Sequence, residues 1–264
     1  MFDPKSAQQK PAVCCVPVSP MRREPAHRSE MVSQLLFGEC CRIIEETTDH
    51  WVKVKSRYDG YEGWCQDSQV TAIEESVYES RISELTTDWI SEITYGEQKM
   101  IVPMGCSFPG MKDGIAVWTK YEVLFNGQLV KTETVKRDEE HIRKFACQFL
   151  NTAYLWGGKS VFGIDCSGFT QSVYKFLGVP LLRDAYQQAS QGNSVGFLQE
   201  VRCGDLAFFD NADGKITHVG IMLNDHEIIH SSGKVRIDRI DNQGIINGDT
   251  LARSHPLRII KRYF

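Results

Sequence analysis

The spacing of hydrophobic positions changes along the chain and divides it into three parts. Up to about residue 136, apolar residues form short strand-like runs separated by Gly, Asp and Asn, which predicts two successive groups of β-strands. From residue 137 onward, apolar residues first recur at helical spacing and then return to strand-like runs. We therefore expect an α+β protein with three domains, residues 1–73, 74–136 and 137–264.

The first two parts predict small closed sheets. Residues 12–73 contain the runs AVCCVPVS, QLLFGECCRII, HWVKVKS and YEGWC, and closing such a sheet into a barrel removes edges that would pair with other chains. Trp51 and Trp64 are expected in its core or rim. Residues 74–136 contain KMIVP, IAVWTKYEVLF and QLVKTE, which predict a second, divergent barrel. The long polar loop within residues 20–34 is either functional or simply solvated.

The stretch YLWGGKSVFGIDCSGFT, residues 154–170, ends in a cysteine at the predicted start of a helix. The apolar face of that helix is formed by Phe169, Val173, Phe176 and Leu177. Gly178 and Pro180 end it. Free backbone N–H groups and the positive end of the helix dipole favour a thiolate at Cys166, and the thiolate is the nucleophilic form. We expect Cys166 to be a nucleophile; the alternative is a buried core cysteine.

A nucleophilic thiol needs a base, and two histidines are the candidates. His218 and His230 lie in the strand-like runs ITHVGIML and EIIHSS, separated by the turn signal of residues 224–226. If this turn has three residues, positions 223 and 227 pair, every further pair of positions sums to 450, and both histidines share one sheet face. A two-residue turn would place them on opposite faces, as ordinary strand histidines.

The order of the motifs DCSGF, CGDLAFF, THVGI and IIHSS resembles the NlpC-type papain-like cysteine peptidases, which cut bacterial cell-wall peptides. The resemblance spans about residues 139–264. It implies a papain-like catalytic domain, with a helix bundle and an antiparallel sheet, preceded by two small Src-homology-like β-barrels. It also implies Cys166 as the nucleophile, His218 as the base and His230 as the residue that orients the base.

Relatives with two N-terminal barrels resemble γ-D-glutamyl-L-diamino acid endopeptidases, which release L-Ala-D-Glu from stem peptides with a free amino terminus during murein recycling. The resemblance implies that Asp184, in LLRDAYQQ, binds the terminal amine together with Glu30 and Tyr61 of the first barrel. We also place three residues near the nucleophile in the substrate site: Asp165, Ser167 and Trp156. Ala185 stands where the family commonly has a small hydroxyl residue, so one polar contact to substrate is missing.

Several alternatives to this assignment remain open. The chain could be a general peptidoglycan amidase or endopeptidase, a thiol acyltransferase, or a catalytically inactive module that binds wall peptides. Asp184 could instead cap a helix or pair with Arg183, and Glu30 and Tyr61 could be surface groups.

Composition narrows the partners and the compartment. The net charge of −4 provides no basic field for nucleic acid or anionic lipid. Nine cysteines without a C-x-x-C pair favour a reducing compartment and give no support to a metal site. We expect a monomer with no cofactor and with no membrane or nucleic-acid partner. The start MFDPKSAQQKPAVCC lacks a long apolar run, so we expect a cytoplasmic location, or a periplasmic one if a leader has been removed.

Overall fold

The computed structural model describes residues 9–264 and divides the chain into two units, Met1–Lys131 and Thr132–Phe264. The first eight residues of the predicted first barrel lie outside the described residues. No helix within the described part combines the length and the apolar character needed to cross a bilayer.

The first unit is built from antiparallel strands. Its helical segments are the 3₁₀ turn Asp67–Gln69 and helix α1 (Glu75–Tyr78). Its strands are β1 (Lys10–Cys14), β2 (Val18–Arg22), β3 (Met31–Leu36), β4 (Cys40–Glu46), β5 (Trp51–Ser56), β6 (Glu62–Gln66), β7 (Val70–Ala72), β8 (Glu84–Thr86), β9 (Ile90–Tyr95), β10 (Gln98–Pro103), β11 (Ile115–Trp118), β12 (Tyr121–Leu124) and β13 (Leu129–Lys131). The first seven form one sheet in the order β3-β2-β6-β5-β4-β1-β7.

The two predicted N-terminal barrels share part of one core. Phe37, which follows β3, lies with its ring centroid 5.0 Å from that of Trp118 in β11, and both side chains are buried. Trp51 and Trp64 are buried as expected. The later strands form a four-stranded sheet, β10-β9-β12-β11, and a separate β13-β8 pair. A closed second barrel and its boundary at residue 74 therefore stay predictions.

The second unit contains a closed sheet. Its helical segments are α2 (Glu139–Cys147), α3 (Cys166–Phe176), α4 (Ala185–Ala189) and the 3₁₀ turn Leu198–Glu200. Its strands are β14 (Lys159–Ser160), β15 (Gly163–Ile164), β16 (Asn193–Val195), β17 (Leu206–Asp210), β18 (Ile216–Met222), β19 (Glu227–Ser232), β20 (Lys234–Asp241), β21 (Gly244–Ile246) and β22 (Arg253–Arg262). The order is β16-β22-β17-β18-β19-β20-β21, and β21 also pairs with β22. The last six strands therefore close into a barrel.

Helix α3 packs against β18 and β19 of this barrel. Its predicted apolar face is buried, and Phe176 stacks on Phe145 of α2 with ring centroids 4.6 Å apart. The expected helix bundle is not confirmed: α2, α3 and α4 have 9, 11 and 5 residues, and α3 buries much of its face against strands rather than other helices. The unit is mostly β.

The hairpin of β18 and β19 has the predicted register. Gly220 pairs with His230 and Met222 pairs with Ile228, so each pair of positions sums to 450. The turn therefore has three residues, and His218 lies on the same sheet face as His230.

Candidate active site

The nucleophile candidate lies at the first position of α3. Asp165 is the N-cap of this helix, and its Oδ1 accepts a 2.6 Å hydrogen bond from the backbone N–H of Gly168. The cap fixes where the helix begins and hence where Cys166 points. The Cys166 side chain is buried, with Sγ 4.0 Å from the carbonyl oxygen of Thr217 in β18. The thiol thus lies beside the residue that precedes His218.

The two predicted histidines form a buried, hydrogen-bonded pair. His218 Nε2 and His230 Nδ1 are 2.8 Å apart, and the ring planes are nearly perpendicular at 84°. This contact engages Nε2 of His218 and does not involve its Nδ1. The other ring nitrogen of His230, Nε2, lies 3.1 Å from Oδ2 of Asp238. The pair therefore continues to a carboxylate.

The Asp238 carboxylate is buried and ionised. Its Oδ1 accepts hydrogen bonds of 2.9 Å from Nη2 of Arg236 and from the backbone N–H of Gly248. Burial alone would raise the pKa of Asp238, but the hydrogen bonds from His230, Gly248 and Arg236 outweigh it and lower that pKa to about 2. The network thus holds a negative charge one residue away from the base.

Sequence reasoning missed Asp238 because the strand KVRIDRID carries this charged side chain at a buried position. Alternation suggests that Val235 and Ile237 both face the core and that the charged residues face water. In the structure Ile237 is 41% exposed whereas Asp238 is buried. One signal in the sequence could have indicated Asp238: charged residues occur in the strand that directly follows the strand of His230.

Burial opposes charge on the catalytic pair. It raises the pKa of the Cys166 thiol to about 12, with a further contribution from the Asp165 carboxylate. Burial also lowers the pKa of His218 well below its usual value, and His230 and His255 act in the same direction. Burial therefore favours a neutral thiol and a neutral imidazole over the charged pair. Loss of hydration thus acts against the thiolate expected from the helix start, and that thiolate stays a prediction.

A third histidine, which sequence reasoning also missed, covers the base. The ring of His255 in β22 stacks on His218 with centroids 4.1 Å apart and planes at 27°. Phe209 packs against both rings, at 5.7 Å from His218 and 6.0 Å from His255. Burial lowers the pKa of His255 to about 4. The base thus contacts two aromatic rings and is hydrogen-bonded at its edge.

Two residues predicted to bind substrate belong to a buried network beneath the nucleophile. Arg183 Nη1 and Nη2 lie 3.1 and 2.6 Å from Oδ1 and Oδ2 of Asp165, and Nη1 donates to Ser167 Oγ at 2.9 Å. This network fixes the start of α3, while contact of Asp165 or Ser167 with substrate stays a prediction. Trp156, in the preceding loop, is 60% exposed, and its contact with substrate also stays a prediction.

Asp184 begins helix α4, which packs against β18. Its backbone N–H donates to Gln187 Oε1 at 3.0 Å, and the two residues form a capping box. Asp184 therefore caps α4, as one of the two alternatives predicted. Its binding of substrate stays a prediction. Glu30 and Tyr61 lie in the first unit. Glu30 pairs with Arg23 at 2.7 Å, and Tyr61 packs against the core of the first sheet; their substrate roles stay predictions.

Comparison with known proteins supports both units. A model described as the NlpC/P60 family matches residues 151–253, and one described as the bacterial dipeptidyl-peptidase Sh3 domain matches residues 21–70. A γ-D-glutamyl-L-lysine dipeptidyl-peptidase of Bacillus subtilis (strain 168) is 31% identical over 216 residues, covering 75% of this chain and 71% of that protein. Dipeptidyl-peptidase 6 of Lysinibacillus sphaericus is 27% identical over 246 residues, covering 83% and 88%.

The fold is also found among solved structures. A crystal structure of an NlpC/P60 family protein from Bacillus cereus ATCC 10987 superposes with a TM-score of 0.79 at 19% identity, covering 96% of this chain and 99% of that one. The papain-like fold and the barrel upstream of it are thus shared over nearly the whole length.

Proposed function

This chain belongs to the NlpC/P60 family of cell-wall peptidases, and we propose that it is a cysteine peptidase that hydrolyses the γ-D-glutamyl-L-diamino acid bond of stem peptides and releases L-Ala-D-Glu. One observation carries the proposal: a buried thiol at a helix start lies against the strand whose histidine is hydrogen-bonded to a second histidine. The names of the relatives, γ-D-glutamyl-L-lysine dipeptidyl-peptidase and dipeptidyl-peptidase 6, support the substrate class.

The first half-reaction forms a thioester. Nδ1 of His218 takes the proton of the Cys166 thiol as Sγ bonds to the glutamyl carbonyl carbon, and the carbonyl electron pair moves onto oxygen. When the tetrahedral intermediate collapses, the C–N bond breaks and its electron pair stays on nitrogen. That nitrogen takes the proton from His218 and leaves as the amine of the diamino acid. Because burial favours the neutral thiol and the neutral imidazole, we propose that proton transfer accompanies attack.

The second half-reaction restores the thiol. His218 takes a proton from water, the resulting hydroxide attacks the thioester carbon, and the C–S bond breaks with its electrons on sulfur. The sulfur then recovers the proton from His218, and the new carboxyl group of L-Ala-D-Glu gives its own proton to solvent, so that the product leaves as a carboxylate. Backbone N–H groups at the start of α3 stabilise the oxyanion in both halves. Since the N–H groups of Gly168 and Phe169 are engaged with Asp165 and that of Ser167 is directed at the thiol sulfur, we assign this role to the N–H of Cys166 itself.

Recognition of a free amino terminus would select the substrate. We propose that the carboxylate of Asp184 binds the L-Ala ammonium, with Glu30 and Tyr61 completing the site. A site built for a charged group rejects a ligand that lacks the charge, because its polar groups are then left unpaired. Peptides with a free L-Ala terminus arise once the sugar has been removed, so we place the reaction in wall-peptide recycling, in the cytoplasm.

Thiol labelling tests the catalytic assignment. We expect iodoacetamide to label Cys166 stoichiometrically near neutral pH and faster than the other cysteines, because His218 takes the thiol proton as the sulfur attacks, and we expect His218→Ala to abolish this preference. Labelling of Cys166 no faster than that of the remaining cysteines would favour an inactive binding module. Product analysis separates hydrolysis from acyl transfer, because a transferase yields an adduct with an acceptor other than water.

A pair of peptides tests the substrate assignment. L-Ala-γ-D-Glu-diamino acid should be cut, and the same peptide N-acylated should be refused. Asp184→Asn is the sharpest variant, because asparagine can still cap α4 while lacking the charge. It should lose about 2–4 kcal/mol of transition-state binding for the free peptide, a fall in kcat/KM of roughly 30- to 900-fold. Equal cleavage of both peptides by the wild type would instead indicate a general wall hydrolase.

A further inference from the structure

The hydrogen-bonded chain of the active site extends one residue beyond the histidine pair. It runs from His218 through His230 to Asp238, with N···N and N···O distances of 2.8 and 3.1 Å. We propose that Asp238 is a positioning residue: it fixes the ring tautomers of both histidines so that His218 presents an unprotonated nitrogen to the thiol. This inference rests on the proposed role of His218 as general base.

The direction of the chain follows from counting donors and acceptors. An ionised carboxylate only accepts hydrogen bonds, so the hydrogen between Asp238 and His230 must lie on Nε2 of His230. In a neutral imidazole the other nitrogen is then an acceptor, and Nδ1 of His230 must receive the hydrogen on Nε2 of His218. The remaining nitrogen, Nδ1 of His218, therefore carries a lone pair. Such a base can take the thiol proton.

The neighbours of Asp238 hold its carboxylate in one orientation, so that each oxygen has fixed partners. Oδ1 is occupied by two donors, Arg236 Nη2 and the Gly248 backbone N–H, each at 2.9 Å. Oδ2 is thereby left facing His230. Arg236 is itself held from the other side by Asp249, at 2.7 Å from Nη1. The carboxylate is thus clamped in one orientation, with one oxygen assigned to the backbone and guanidinium and the other to the histidine.

Replacement of Asp238 by asparagine should reverse the chain. The amide oxygen must take the place of Oδ1, because that position faces two donors, and the NH₂ group is then presented to His230. Nε2 of His230 becomes an acceptor, its Nδ1–H donates to His218 Nε2, and the hydrogen of His218 moves to Nδ1. The base is then blocked. In the serine-protease triad the corresponding Asp→Asn change installs the wrong tautomer and lowers kcat by about 10⁴-fold.

Asp241 offers a matched control on the same strand. Its carboxylate pairs with Arg253 on the surface rather than with a histidine. Asp241→Asn makes the same chemical change three positions further along β20. We expect it to keep kcat/KM within about twofold of the wild type, as for other surface substitutions.

The experiment compares ring ¹⁵N NMR spectra of wild type, Asp238→Asn and Asp241→Asn, together with the rate of Cys166 alkylation and kcat/KM. In the wild type and in Asp241→Asn we expect both histidines to carry hydrogen on Nε2. In Asp238→Asn we expect both to carry it on Nδ1, with alkylation and kcat/KM reduced by about 10³- to 10⁴-fold.

Two results would overturn the inference. One is a wild-type spectrum with hydrogen on Nδ1 of His218. This test uses only the wild-type protein, so it does not depend on whether a variant folds. The other is a folded Asp238→Asn protein that keeps hydrogen on Nε2 of both rings. Neither spectrum depends on a substrate, so if the tautomers are as expected but no stem peptide is cleaved, the proposed function fails while the role of Asp238 stands.

Discussion

Arg183 and Asp165 form a bidentate ion pair, with Nη2 2.6 Å from Oδ2, that is almost completely buried beneath the nucleophile. The pair joins the segment before α4 to the segment before α3. Asp165 is also the N-cap of α3, so the position of Cys166 depends on this contact. A buried pair contributes little relative to an apolar replacement of both partners, but removing one partner leaves an unpaired charge.

Arg183→Met should therefore be strongly destabilising. We expect a loss of about 3–5 kcal/mol in the free energy of unfolding, measured by urea denaturation, because the Asp165 carboxylate remains buried without its counter-charge. Arg253→Met is the matched control, since Arg253 and Asp241 form an ion pair that is 46% and 37% exposed. The control should lose only about 0–1 kcal/mol. Equal losses in the two variants would contradict the role assigned to the buried pair.

Burial raises the pKa of the Cys166 thiol to about 12, and this predicts at which pH the thiol loses its proton. A group whose pKa lies that high stays protonated across the neutral range, so no thiolate should form at Cys166 between about pH 6 and 9. The difference in ultraviolet thiolate absorbance between wild type and Cys166→Ser checks this during a pH titration. A titration step near neutral pH would instead show the thiolate expected from the helix start.

The parts of this site that were predictable are those set by local periodicity. The apolar face of α3 follows from the spacing of Phe169, Val173 and Phe176, and it places Cys166 at the helix start. The shared face of His218 and His230 follows from the length of one turn, because a strand alternates its faces with every residue. Both predictions need only the neighbouring residues in the chain.

The parts that were missed depend on closure of the barrel. His255 lies in β22, which pairs with both β17 and β21, and register shifts occur in both pairings. Such bulges re-aim side chains next to active sites, and no local pattern in the sequence fixes them. Asp238 is buried, as is Ile240 two positions further along the strand, although the spacing of Val235 and Ile237 predicts that it faces water. The effect of burial on the pKa of the Cys166 thiol was also beyond sequence reasoning, because burial depends on the whole fold.

His255 should make the stability of the protein fall in mild acid. Burial lowers its pKa from the ordinary 6.5 to about 4, so between these values the unfolded chain takes up a proton that the folded protein refuses. The stabilising contribution is fully present above pH 6.5 and is lost as the pH falls through the folded pKa of about 4. A single group of this kind changes the unfolding free energy by at most about 1.4 kcal/mol per pH unit.

His255→Phe should remove the contribution of His255 to this dependence while keeping an aromatic ring against His218, whose own lowered pKa still contributes. Thermal unfolding of wild type and variant at pH 7 and near pH 4.5 provides the comparison. We expect the variant to gain in Tm relative to the wild type as the pH falls, since phenylalanine has no proton to bind. A difference in Tm that is the same at both pH values would show that His255 does not titrate with folding.

The proposed amine site can be separated from the surface ion pair that Glu30 forms with Arg23. Because this pair is largely exposed, with 66% of the Arg23 side chain and 34% of the Glu30 side chain accessible, Glu30→Gln and Arg23→Gln should each change the unfolding free energy by only about 0–1 kcal/mol. Both variants break the same contact with a glutamine. Only Glu30→Gln, however, removes a carboxylate that the proposed function assigns to the substrate ammonium.

We therefore expect Glu30→Gln to raise KM for the free-amine peptide, with kcat little changed, and to leave the N-acylated peptide uncut. Arg23→Gln should keep the wild-type KM, or lower it, because it frees the Glu30 carboxylate from its competing partner. Steady-state kinetics with L-Ala-γ-D-Glu-diamino acid decides between the two outcomes. If both variants raise KM equally, the ion pair shapes the loop and Glu30 has no direct part in amine recognition.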